Sequence, residues 1–272
     1  MRILCDALVF LGFLTKDAGR YAATPDTATF LDSSSPTYIG SAAEFHLGAS
    51  RLEGFARLAE AVRTGGTAID GGGVTAGENP TWLNFARSMA PMAALHAPRL
   101  AGLVEVDRDR PVKILDVAAG HGLYGITFAG RHANVEVVAV DWPGVLEVAA
   151  ENAAARGIAD RYHTLPGSAL EVEFGDGFDI VLMNAVLHLF DPPTCEALLA
   201  KAHAALADGG RAVTMDFIPD EDRVSPPAVA MFAAIMLATT PGGDAYTFAE
   251  LEAMAGAAGF ARSELHSLEP SP

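Results

Sequence analysis

Gly120, Gly122 and Gly125 stand in AAGHGLYG directly after the aliphatic run VKILDV, a literal match to the G-x-G-x-x-G pattern of nucleotide sites. Glycine lets backbone come close to a ligand where a strand turns sharply into a helix, and the helix start that follows is electropositive. Asp141 closes the next aliphatic run, VEVVAV, where a carboxylate is placed to accept hydrogen bonds from both hydroxyls of a ribose. His188 lies in NAVLHLF, after the run FDIVLM, and Asp216 lies in RAVTMDF. A neutral imidazole of ordinary pKa about 6.5 can serve as a general base near neutral pH. The blander alternative is that His188 begins a helix and bonds locally while Asp216 caps a strand end. On the residues alone both readings stand.

Groups of this kind need strands that end where they sit. From residue 112 the periodicity predicts a strand (VKILDV), the glycine turn, a helix to about residue 131, and a strand (VEVVAV). A helix from Pro143 to a stop at Gly157, a short strand over 162–165 and the strand FDIVLMN follow. Next come a helix from Pro193 to a Gly209-Gly210 stop, the strand RAVTMDF, helices over 226–239 and 247–258, and a last strand over 262–268. Buried β-runs alternating with helices predict an α/β fold with a doubly wound, mainly parallel, Rossmann-like sheet. Ligands of such sheets sit at the carboxyl ends of the strands, near the topological switch point.

Upstream the texture is helical. Ile3, Leu4, Ala7, Leu8 and Leu11 fall at helical spacing, and Phe13 and Leu14 lead through KDAGR to Tyr21 and Thr24. This order of helix, strand, turn and strand resembles part of a winged helix. Leu52, Phe55, Ala59 and Val62 form one amphipathic stripe. Asn79-Pro80 offers a cap and first-turn proline for a helix carrying Trp82, Phe85, Met89 and Met92, which Pro91 should kink. The expected organisation is a mostly helical, partial winged-helix and linker domain over 1–100, followed by a cofactor domain over 101–272.

With 272 residues, 50% of them hydrophobic, the chain has apolar material for more than one core. A net charge of −16 leaves no electrostatic footprint for phosphate backbones or anionic lipid, so neither a nucleic acid nor a membrane is an expected partner. The longest apolar runs, 228–238 and 180–190, are too short to span a bilayer. MRILCDALVFLGFLTK imitates a signal peptide, but Asp6 interrupts it and no small-x-small cleavage site follows promptly. Cys5 and Cys195 are too few for a disulfide scaffold or a metal cluster, and no histidine spacing suits a metal. Both cysteines read as plain core or surface residues of a cytoplasmic protein.

Asp116, inside the first strand of the cofactor domain, gives the pattern aliphatic, aliphatic, Asp, aliphatic, small, x, Gly, x, Gly. With the winged-helix fragment, VDWP, NAVLHLF, MDF and TTPGGDAYTFAEL, it makes the chain resemble the class I S-adenosylmethionine-dependent small-molecule O-methyltransferases over nearly its whole length. Members of that family join a winged-helix dimerisation domain to a Rossmann-like methyltransferase domain. The resemblance implies S-adenosylmethionine as cofactor, held by Asp116, Ala118, Gly120, His121, Gly122, Asp141, Trp142, Ser168, Ala169 and Asn184. Within that set Asp141 binds ribose, Trp142 lies against adenine, and Ser168 and Ala169 border the adenine ring. Ser168 stands where an Asp is usual, and Ala118 where a first glycine is usual. His188 is implied as the general base and Asp216 as the carboxylate that orients it.

By position between the kinked helix and the helix before PGG, Trp82, Phe85, Met89, Phe232, Met236 and Thr240 are candidate walls for a flat aromatic or polyketide-like acceptor. A homodimer through the amino-terminal region is also implied. The family's upstream helices and antiparallel seventh strand are not found, so a form shortened at both ends is expected.

In PGGDAYT the family usually has a glutamate where this chain has Ala245 and an arginine where it has Tyr246, with Asp244 a displaced carboxylate nearby. Relatives on this scaffold also methylate carbon or have lost methyl transfer, so both outcomes stand beside O-methylation. Two readings come from other classes. An NAD(P)-dependent oxidoreductase would rest on Gly120, Gly122 and Gly125 but lacks a Tyr-x-x-x-Lys pair. A metabolite-sensing regulator would need its winged helix to bind DNA against the acidic balance.

Overall fold

The computed structural model describes residues 1–268. At its start α1 (Arg2–Phe10) leads into an antiparallel hairpin of β1 (Leu14–Asp17) and β2 (Arg20–Ala23), the order read from the sequence. Asp6 of α1 accepts hydrogen bonds from Lys16 Nζ and the Tyr21 hydroxyl, which ties the hairpin to the helix. None of the residues of α1 is buried, and Ile3, Leu4 and Phe10 are exposed.

Short helices follow: α2 (Pro25–Phe30), α3 (Ala42–His46), α4 (Ala49–Ala56) and α5 (Leu58–Thr64). The stripe expected from Leu52, Phe55, Ala59 and Val62 is not a core face. The helix breaks at Arg57, and Leu52, Phe55 and Val62 are exposed. Small residues make the contact instead. A β-carbon on Gly54 would lie 2.5 Å from the Ala238 carbonyl oxygen, so α4 approaches its neighbour at backbone distance and the larger side chains turn outward.

α6 (Pro80–Ser88) is capped by Asn79, whose Oδ1 accepts the Thr81 N–H at 2.9 Å. The expected kink is a full break at Met89. Pro91 sits in the first turn of α7 (Ala90–Leu103), where its missing N–H costs nothing. α7 runs across residue 100, the expected domain boundary.

The α/β part is built as the alternation predicts. β3 (Val112–Val117), α8 (Leu123–Arg131), β4 (Val135–Asp141), α9 (Pro143–Ala155), β5 (Tyr162–Pro166), β6 (Phe178–Leu182), α10 (Pro192–Ala205) and β7 (Leu206–Val213) form a parallel sheet of order β5-β4-β3-β6-β7. Val112 and Ile114 face one core with α7, α8 and α9, while Leu115 and Val117 face another with α10 and α12 (Phe248–Ala257). β3 is thus covered on both faces, which explains its near-continuous aliphatic sequence. The strand order reverses between β3 and β6, and that switch point fixes where a ligand crevice opens.

Three boundaries differ from the sequence reading, one of them β7 itself, which starts at Leu206 and ends at Val213 where a strand over RAVTMDF (211–217) is predicted. α10 stops at Ala205, and the glycine pair meant to end it lies inside β7, where the ladder with β6 slips between Phe178 and Ile180. Leu206 takes extended dihedrals early because it already pairs with Phe178. Residues 262–268 form no strand, although Leu268 packs on the first core. α11 (Pro227–Thr239) and α12 match their predicted spans, and α12 opens with a capping box between Thr247 and Glu250. Among the described residues no helix is long and apolar enough to cross a membrane.

Candidate functional site

The turn after β3 passes through the left-handed region at Ala118, Gly120 and Gly122, with φ of 55°, 57° and 73°. This geometry reverses the chain within a few residues and presents backbone to the crevice. Asp116 lies beneath the turn, 1% exposed, and its Oδ2 accepts the Gly125 N–H at 3.1 Å. A β-carbon on Gly125 would come within 2.9 Å of that same oxygen, so the third glycine lets α8 close onto the acid. Burial pushes the Asp116 carboxyl up to about 8, helped by the nearby Asp141 charge. Asp116 is therefore a neutral, structural acid at neutral pH.

Asp141 ends β4, as its sequence position requires. Its Oδ2 accepts the Gly120 N–H at 2.8 Å and its Oδ1 the Trp142 N–H at 2.7 Å. These bonds lock the carboxylate across the glycine turn, each oxygen retaining capacity for a further donor. Burial raises its pKa to about 6, partly offset by the two backbone donors.

His121 is 3% exposed, and its Nδ1 accepts the Leu123 N–H at 3.1 Å. Burial lowers its pKa to about 4, so the ring is neutral. Phe85 stacks on it at 5.8 Å between centroids. Trp82 and Trp142 pack against one small cluster of Ala86, Val145 and Val148. Phe85, expected with Trp82 as an acceptor wall, thus reaches the glycine turn, and Trp82 packs edge-on against the Phe85 ring.

Ser168 accepts the Leu170 N–H on its hydroxyl, and the Ala169 carbonyl accepts Lys201 Nζ at 3.0 Å. On the other side of β3, Asn184 is 6% exposed, and neither its amide nitrogen nor its amide oxygen has a hydrogen-bond partner. A buried amide with both ends unpaired costs free energy on the order of a few kcal/mol, so it marks a position for a polar ligand. Together with the Asp141 carboxylate and the open backbone turn, this donor set fits a nucleoside-bearing amino-acid cofactor.

Backbone pairing of β6 with the β7 side continues past the strands, through Met183 N–H to Val213 and Ala185 N–H to Met215. That extension carries His188 and Asp216 to the same end of the sheet. His188 Nδ1 lies 2.6 Å from Asp216 Oδ1, which also accepts the Phe217 N–H at 2.8 Å. Both side chains are over nine-tenths buried. A carboxylate on Nδ1 fixes the tautomer with its proton on that nitrogen, leaving Nε2 free to accept a proton.

Phe232 of α11 meets the imidazole edge-on at 4.7 Å and stacks on Phe217 at 4.0 Å. Met236 is buried on the same helix, and Met89 is half-buried at the α6–α7 break. Thr240 is fully buried, and its hydroxyl bonds locally, to the Met236 carbonyl and from the Gly243 N–H. Asp244 pairs with Arg223 at 3.1 Å, while buried Ala245 adds no charge to the His188 environment.

A family model described as the O-methyltransferase domain matches residues 55–261. The chain belongs to that O-methyltransferase family. The family is S-adenosylmethionine-dependent, in keeping with the polar groups left open around the turn. The chain is 30% identical over 253 residues to the 3-hydroxy-5-methyl-1-naphthoate 3-O-methyltransferase of Streptomyces sahachiroi, covering 91% of this chain and 72% of that one. It is 27% identical over 264 residues to the tetracenomycin polyketide synthesis 8-O-methyl transferase TcmO of Streptomyces glaucescens, covering 95% and 76%. Among solved structures, a proposed O-methyltransferase from Nostoc punctiforme superposes with a TM-score of 0.96 at 50% identity, covering all of this chain and 82% of that one.

In this O-methyltransferase the sequence reading missed Phe217, Cys195 and Tyr246 as parts of the His188 surroundings. Phe217 directly follows Asp216, a signal available from adjacency. Cys195 and Tyr246 reach the His188 turn from α10 and from the segment before α12, and no periodicity announces such contacts.

Proposed function

We propose that this chain transfers a methyl group from S-adenosylmethionine to a hydroxyl oxygen of a small, flat aromatic or polyketide-derived acceptor, with His188 as general base. The observation that carries the reading is the buried His188–Asp216 pair at 2.6 Å, which leaves Nε2 as the proton acceptor. When bound, the cofactor supplies an electrophilic sulfonium methyl group. The protein's own residues orient, exclude water and move one proton. Asp141 receives the ribose hydroxyls, and Asn184 offers a donor and an acceptor from one side chain. The backbone from Ala118 to Gly122 lies along the donor, Asp116 holds that turn from below, and His121 borders it. Trp142, Ser168 and Ala169 border the adenine.

As the acceptor hydroxyl attacks, His188 Nε2 takes its proton, and Asp216 steadies the resulting imidazolium. Phe232 and Met236 from α11, with Met89, form the apolar side of the acceptor site. The relatives from Streptomyces, which act on a naphthoate and in tetracenomycin polyketide synthesis, support an aromatic acceptor.

Residues 1–100 serve as the dimerisation and linker domain and 101–272 as the catalytic domain of a homodimer. The exposed apolar side chains of α1 support that role. The unpaired thiols of Cys5 and Cys195 support a cytoplasmic setting.

The test is calorimetry with S-adenosylhomocysteine, followed by mass spectrometry of a phenolic library incubated with isotopically labelled S-adenosylmethionine. Micromolar binding and labelled methyl ethers, lost in His188→Ala, are the expected results. Silence at millimolar S-adenosylhomocysteine, or label appearing only on carbon, would remove the proposal.

A further inference from the structure

His188 sits in one irregular turn, Leu187–Leu189, ahead of α10. So short a turn offers few internal bonds for its own carbonyls, and its orientation must be imposed from outside. The Leu187 carbonyl accepts the Cys195 thiol, with sulfur and oxygen 3.1 Å apart, and it also accepts the Phe190 N–H. The Phe190 carbonyl accepts the Tyr246 hydroxyl at 2.5 Å, with the Cys195 sulfur 3.6 Å away. Cys195 is fully buried and Tyr246 is 6% exposed.

We propose that Tyr246 and Cys195 are positioning residues for His188, gripping the backbone carbonyls on either side of it and so aiming its imidazole at Asp216 and the acceptor. The proposal rests on the reading of His188 as the base. Three features of the surroundings support it. First, the donors come from different elements, so the turn is held from two directions and cannot rotate about a single bond. Second, both groups remain donors at neutral pH: burial pushes the Cys195 thiol up to about 12 and raises the Tyr246 hydroxyl above its ordinary value. The thiol therefore keeps its proton for the Leu187 carbonyl. Third, Gly243 backs the same turn. A β-carbon there would lie 2.3 Å from the His188 carbonyl oxygen, and Thr240 holds Gly243 in place through its N–H. The buried Thr240 hydroxyl thus belongs to the same support.

The experiment uses the whole chain. Proton NMR of the parent should show a downfield resonance from the His188 Nδ1 proton, identified by its loss in His188→Ala. In Tyr246→Phe and Cys195→Ala that resonance should move upfield and broaden as exchange with solvent quickens. Cys195→Ser, which keeps a donor, should restore it. In methyl transfer, kcat should fall about tenfold in the first two variants with KM for donor and acceptor unchanged. S-adenosylhomocysteine binding, measured on each variant, reports that it is folded.

A resonance unmoved in both folded variants, or absent from the parent, would overturn the proposal. A matching fall in kcat for Cys195→Ala and Cys195→Ser would overturn it for Cys195. Full activity of His188→Ala would overturn the reading of the base itself, a result the resonance measurements do not depend on.

Discussion

The Nδ1 atom of His188 and Oδ1 of Asp216 lie 2.6 Å apart although 28 residues separate them in sequence, because β6 and β7 continue pairing beyond their ends. The carboxylate does two things for the ring. In the proposed mechanism it selects the tautomer, and it stabilises the cation formed after proton transfer.

Replacing Asp216 by Asn keeps the shape but removes the charge. The expected outcome is a fall in kcat of about 10- to 1000-fold with S-adenosylhomocysteine affinity unchanged. Steady-state kinetics beside calorimetry checks it. Weakened cofactor binding of similar size would contradict the assignment of Asp216 to the acceptor side.

Asp141→Ala should act in the opposite sense. Losing a carboxylate that pins the turn and is proposed to receive two hydroxyls should weaken S-adenosylhomocysteine binding by about 10- to 100-fold, from the usual worth of charged hydrogen bonds. Asp141→Asn, which preserves acceptors on one side only, should fall between Ala and the parent.

Buried Asp116 makes stability depend on pH. The folded chain holds its proton up to about pH 8, whereas the unfolded carboxyl releases it near 3.8. Across that window the folded state binds more protons, so Asp116 contributes most to stability below the unfolded value and progressively less as pH rises toward 8. Thermal melts at pH 5 and pH 8 should show a larger drop for the parent than for Asp116→Asn. An equal drop in both would show that Asp116 ionises without cost.

Gly243→Ala tests the support of the His188 turn by size alone. Its β-carbon cannot occupy 2.3 Å from a carbonyl oxygen, so the turn must shift. A destabilisation of about 1–3 kcal/mol in denaturant titration is expected, with a loss of kcat exceeding any loss of cofactor affinity. An unchanged midpoint and unchanged kcat would refute the close packing.

Much of the site was legible because strand ends are legible. Asp116, Asp141, Asn184 and Asp216 lie in or immediately beyond near-continuous aliphatic runs, and parallel pairing brings such positions to one edge. The glycine turn announced itself by spacing. What escaped were contacts set by close approach and by distance along the chain. The stripe of Leu52, Phe55 and Val62 looked like a core face, yet α4 docks through Gly54, whose lack of a side chain is invisible to a hydrophobic pattern. The Gly209-Gly210 pair looked like a helix stop but accommodates a slip in the β7 ladder. Thr240 reads as a candidate wall of the acceptor site from its position, and its local hydroxyl bonds to the Met236 carbonyl and from the Gly243 N–H carry no sequence pattern. Tyr246 and Cys195 carry no pattern that links them to His188.

Phe232 rests edge-on against the His188 ring and stacks on Phe217, so an aromatic pair from α11 and the end of the sheet bounds the imidazole. On that side the imidazole therefore meets phenyl carbon rather than a polar group.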